Sequence, residues 1–122
     1  MNNTTYKYID LDQIKEYTFG DLPTLKMLLE LFIQGIDEFV NDLNKEVNSQ
    51  NLPELFQAAH KIKPNISMFG IDSLEDPILE LESCFRNEEN LHKVDALTEK
   101  VVQTLKEVKK EIHIELKTLS HE

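Results

Sequence analysis

From Leu22 to about Asn48 the apolar residues Leu25, Leu29, Phe32, Ile36, Phe39, Leu43 and Val47 step by alternating threes and fours. That spacing places them on one side of a helix of about seven turns, and no strand can satisfy it. A helix this long with a single apolar stripe must lay that stripe against other helices. Three further segments supply them. Leu55, Ala59, Ile62, Ile66 and Phe69 form the second stripe, and Leu74, Ile78, Leu81 and Phe85 the third. Val94, Leu97, Val101, Leu105, Val108, Ile112, Leu116 and Leu119 form the fourth. Polar breaks at Asn48-Ser49-Gln50-Asn51 and Asn87-Glu88-Glu89-Asn90 separate them, and Gly70 is expected to close the second helix in a left-handed conformation. The pattern predicts an all-α fold, an antiparallel four-helix bundle over about residues 21–119.

Ahead of the bundle, Leu11, Ile14 and Tyr17 predict a short additional N-terminal helix over 11–18. Residues 1–6 are polar and expected to fray. Asp21 is a candidate N-cap with Pro23 in the first turn of the long helix. Met27 and Leu31 lie off its main stripe and are expected to pack against the short helix, a partner surface being the alternative. Gly35 sits mid-helix and would permit a close helix approach. Asp72-Ser73-Leu74-Glu75 has the form of a capping box, yet Pro77 moves the expected start of regular helix toward Asp76.

The 122 residues are read as one domain, 1–122, and Gly (3) and Pro (4) are scarce, as long helices require. Met1 and a folded span reaching residue 119 favour a free-standing protein. Cys84 is the lone cysteine, so an internal disulfide is excluded and a reducing interior is favoured. Apolar runs are broken every few residues by charge, and the N-terminus lacks the pattern of a secretion signal. The expected compartment is the cytoplasm, with no membrane partner. With 23 acidic and 13 basic residues the net charge is −10, which argues against nucleic acid, whose binding needs a basic face.

The chemistry-bearing stretch is His60-Lys61-Ile62-Lys63-Pro64-Asn65-Ile66-Ser67-Met68-Phe69-Gly70. At about 100° per residue, Phe56, Gln57, His60, Lys63, Pro64 and Ser67 gather opposite the core stripe. His60 therefore projects outward, with Lys63 one turn on and Lys61 further round. A neutral imidazole is a good nucleophile near pH 7, and an ammonium at i+3 can follow a transferring phosphoryl group. Phe56 adds apolar surface beside the histidine, for a partner to contact or, as the alternative, half covered by a neighbouring helix. Pro64 removes the helical partner of the His60 carbonyl and can kink the helix there. Either the kink helps a partner approach or the core tolerates it. Glu82 and Arg86, one turn apart on the following helix, read as an ion pair on a solvated face.

These residues resemble the histidine-containing phosphotransfer (HPt) family. The shared motif is a histidine, an apolar residue two on, a lysine three on, a small residue four on and a glycine ten on. Here those are His60, Ile62, Lys63, Pro64 and Gly70, and Pro64 departs from the family's usual glycine. The resemblance implies that His60 is phosphorylated on Nε2 and that Lys63 stabilises the phosphoryl group. It also implies that receiver domains of response regulators or hybrid kinases are the partners. Phe56, Gln57, Pro64 and Ser67 would dock them, with Lys61, Glu82 and Arg86 as auxiliaries and Gly70 structural. The expected protein is a monomer without a cofactor of its own, Mg2+ belonging to the partner receiver.

Other functions lack their residues. His92, His113 and His121 form no cluster with carboxylates, so no metal site is expected. Ser67 has no acid partner for a triad. A kinase would need a nucleotide-binding domain and, by resemblance to histidine kinases, an acid where Lys61 stands. The reading is a phosphoryl carrier, neither autonomous kinase nor hydrolase. Its alternative is a non-catalytic helical adaptor binding through the Phe56–Ser67 face.

Overall fold

Every residue of the long stripe from Leu25 to Leu43 is buried, with 0–3 % exposure, along one side of a helix of 28 residues. The computed structural model describes residues 5–49 and 51–120, with the side chains of 46–49 left aside; Val47 therefore lies outside the described side chains. Among the described residues five α-helices follow in order: α1 (Asp12–Tyr17), α2 (Leu22–Ser49), α3 (Leu52–Met68), α4 (Asp72–Asn87) and α5 (Val94–Leu119). No strand occurs among the described residues. Helix α2 packs on α3, α3 on α4, α4 on α5, and α5 returns to α2, closing a four-helix bundle. Contacts fix the directions. Lys61 meets Glu38 while Phe69 stacks on Phe32, so α3 runs against α2. His60 meets Glu82 while Ser67 meets Glu75, so α4 runs against α3.

The helix ends show which local signals were obeyed. Asp21 caps α2, accepting from the backbone N–H and the hydroxyl of Thr24, with Pro23 in the first turn. Asn51 caps α3 by accepting from the Glu54 N–H at 3.3 Å. At the other end of α3, Gly70 donates to the Ser67 carbonyl and Ile71 to the Ile66 carbonyl. This is the Schellman arrangement, with Gly70 at φ +64°. Ile66 and Ile71, which flank the motif, are both buried in the core.

Several expectations are corrected. The capping box before Pro77 does not form: α4 begins at Asp72 behind Ile71, which makes no side-chain cap, and Pro77 is accommodated inside the helix. By contrast, α3 runs through Pro64 and ends at Met68, just ahead of the Gly70 expected to close it. The last helix starts at Val94 rather than Leu91, because a 3-10 turn (Leu91–Lys93) leads into it. Tyr17 and Leu31 are exposed, as is Met27, so neither member of the second α2 stripe is covered by α1. Gly35 lies opposite the Asn65 side chain with room for a methyl group, so no close helix approach depends on it.

The segment before α1 is a strap held by α5. The backbone N–H groups of Lys7, Tyr8 and Ile9 converge on the Glu111 carboxylate at 2.9–3.2 Å. Tyr6, inside the stretch expected to fray, donates its hydroxyl to the buried Glu115 at 2.6 Å. Burial and that carboxylate push the Tyr6 phenol well above its usual range. Ile9, Leu11 and Ile14 then enter the core. The Asp10 N–H donates to the Phe69 carbonyl, which ties the strap to the last turn of the His60 helix.

Candidate functional site

Helix α3 turns Leu55, Ala59, Ile62 and Ile66 inward and leaves His60 on the outside, its side chain 60 % exposed. The ring is nevertheless not free. Its Nδ1 lies 3.1 Å from Glu82 Oε2, across the α3–α4 groove. Lys63 reaches the same carboxylate, with Nζ 3.1 Å from Oε1 and 3.2 Å from Oε2. Arg86 Nη2 donates to Oε1 at 3.3 Å. Three side chains thus converge on one carboxylate that is only 5 % exposed.

This overturns the reading of Glu82 and Arg86 as a solvated surface pair. Glu82 is buried and central, and Arg86 is its outer partner. The signal was present in the sequence: Glu82 stands four residues after Ile78 and three before Phe85, on the margin of the apolar stripe of α4. A carboxylate there is drawn into the helix interface, where it needs cations. Burial works to raise its pKa. The hydrogen bonds from Lys63 and His60, with the charges of Lys63 and Arg86, outweigh that, so the carboxyl sits below its ordinary value.

An ionised carboxylate only accepts, so in the neutral imidazole the hydrogen belongs on Nδ1 and the lone pair on Nε2. The unpaired nitrogen is therefore the outward one. Phe56, one turn earlier, stacks on the His60 ring with centroids 5.8 Å apart and carries the Arg86 guanidinium 5.0 Å from its own centroid. It is partly buried and wedged between them, so the half-covered alternative holds over the free apolar surface.

Gln57, Lys61, Pro64 and Ser67 are exposed around His60. Lys61 turns away from the site toward Glu38 at 3.4 Å, and Ser67 lies 3.5 Å from Glu75. Met27, Leu31, Gln34 and Glu38 are one stripe of α2, so the exposed Met27 and Leu31 lead up to the Lys61 side of the His60 helix. Leu31 is seven residues from Glu38, about 10 Å along the axis. His92 and His113 are exposed elsewhere, on the 3-10 turn and on α5, and His121 lies outside the described residues. Among the described residues no group of three or more His, Cys, Asp or Glu is placed to hold a metal ion. Among the described residues no helix is long and apolar enough to cross a membrane.

The bundle thus carries on α3 an outward imidazole, backed by a buried carboxylate and flanked by a lysine. The chain belongs to the Hpt domain family, whose model matches residues 27–120. Its chemistry is accordingly phosphotransfer in phosphorelays, and receiver domains are the class of protein it meets. The strap and α1 lie outside the matched span. No curated protein and no solved structure matches the chain.

Proposed function

We propose that His60 takes a phosphoryl group from the aspartyl phosphate of one receiver domain and passes it to another. The observation that carries this is the Glu82–His60 contact, which leaves Nε2 as the exposed lone pair. In the transfer, Nε2 forms a bond to phosphorus while the bond from phosphorus to the aspartyl oxygen breaks. The departing carboxylate keeps that electron pair. The ring becomes cationic with its Nδ1 hydrogen in place, and the Glu82 carboxylate faces the new charge. Lys63 leaves Glu82 to meet the phosphoryl oxygens, a movement that a flexible, 36 % exposed lysine can make. Positioning and charge stabilisation are most of what such a transfer needs. Mg2+ is expected on the receiver.

The receiver would sit over Gln57, His60, Pro64 and Ser67, with Leu31 and Met27 extending the footprint along α2. Exposed apolar side chains beside a polar reacting centre suit a transient interface of about 800 Å² per partner. Mixing the protein with phosphorylated receivers should label it, and His60→Gln should abolish the label. Retention of label on His92 or His113 would overturn the assignment. Binding without any labelling would favour a helical adaptor.

A further inference from the structure

Glu82 has one cation more than a single carboxylate requires, and the two cations are held differently. Among the described residues, Lys63 pairs with the carboxylate alone. Arg86 is held twice, by Glu82 Oε1 at 3.3 Å and by the face of Phe56 at 5.0 Å. Phe56 stacks on His60, and His60 returns to Glu82. Those four side chains form a closed circuit that Lys63 can leave without breaking. Resting on the reading of His60 as phosphoryl acceptor, we propose that Arg86 is a positioning residue that keeps Glu82 ionised and in place while Lys63 is engaged by the phosphoryl group.

The need arises before the new bond forms. Lys63 has then turned outward and the imidazole is still neutral. A carboxylate 5 % exposed, left with one neutral N–H donor, tends to take up a proton. Protonated, it no longer faces the ring with a full charge as the phosphoryl arrives. Arg86 is the remaining fixed cation among the partners of Glu82, which are His60 and Lys63 from α3 and Arg86 from α4. A guanidinium suits the role because it stays charged at any working pH and stacks on an aromatic face.

A double-mutant cycle on the full chain, with transfer from a phosphorylated receiver measured at saturating and sub-saturating concentrations, tests this. Arg86 is exposed, so its variants should fold. Arg86→Ala should slow transfer at saturating receiver roughly tenfold with little change in KM, and Arg86→Lys should keep most of the rate. In a Glu82→Gln background, Arg86→Ala should do nothing further. An equal loss in both backgrounds would show Arg86 acting on the phosphoryl group or the receiver directly, and overturn the proposal. A change confined to KM would make it a docking residue, and no change would remove it from the site. Should the wild type fail to label at His60, the carrier reading itself falls. A labelled wild type with an unaffected Arg86→Ala leaves that reading standing and refutes only this inference.

Discussion

At the scale of single residues, the site is an exercise in charge compensation. Glu82 is buried by the helix interface, which works to raise its pKa, and the hydrogen bonds from Lys63 and His60 with the charges of Lys63 and Arg86 outweigh that burial. Its carboxyl is depressed in the folded protein, so it contributes stability that is present above the ordinary carboxyl pKa of about 4.3 and is lost as pH falls through the lower folded value. The stability difference between wild type and Glu82→Gln should accordingly be full at neutral pH and shrink on acidification, as denaturant melts across pH 3–7 would show. A constant difference over that range would mean that Glu82 acts through packing alone. Lys63 separates rate from affinity. Lys63→Ala should slow transfer at saturating receiver while leaving KM nearly unchanged, because one partly exposed charge contributes little to docking. Loss of affinity alone would reduce the site to His60 and Glu82.

At the scale of elements, α3 carries both His60, the proposed nucleophile, and a proline one turn on. Pro64 has no N–H for the His60 carbonyl, yet the helix runs on to Met68. The interior proline is tolerated because the stripe of Leu55, Ala59, Ile62 and Ile66 is wholly buried on either side of it. Restoring the hydrogen bond with Pro64→Ala should stabilise the protein, by about 1–3 kcal/mol in a thermal melt, since interior proline is disfavoured by up to that amount. The turn after α3 is the opposite case. A Cβ on Gly70 would stand 2.7 Å from Asp10 Cβ and 2.9 Å from its carbonyl oxygen, at a φ of +64°. Gly70→Ala should therefore destabilise by roughly 2 kcal/mol or more, combining backbone strain with displacement of the strap.

At the scale of the whole molecule, the N-terminal strap links α5 to the end of the His60 helix. Glu111 holds its N–H groups, Glu115 holds Tyr6, and Asp10 holds the Phe69 carbonyl. Glu111→Ala leaves the amides of Lys7, Tyr8 and Ile9 without their acceptor, and hydrogen exchange at those positions should rise well above that in α2. The proposed receiver footprint also depends on the assembled fold. Leu31→Ser, on the α2 flank of the site, should raise KM for transfer without altering the saturated rate, while Leu79→Ser on α4 serves as a comparison at similar exposure. Equal effects of the two would place the receiver elsewhere.

Periodicity by itself determined the helices and their buried faces, because a 3.6-residue repeat assigns each side chain to one side of its own helix. It placed His60 outward on α3 and Gly70 at the end of that helix, and the HPt motif was visible as a string of residues. What lies across a groove is not encoded in one helix's period. Glu82 is 22 positions from His60, and only the antiparallel packing of α3 and α4 brings the two within 3.1 Å. The same holds for the strap on Glu111, more than a hundred residues away, and for Met27 and Leu31, whose exposure depends on where α1 comes to rest. Local spacing decides which face a residue occupies; the packing of neighbouring helices decides what that face meets, and with it the charge balance at the histidine.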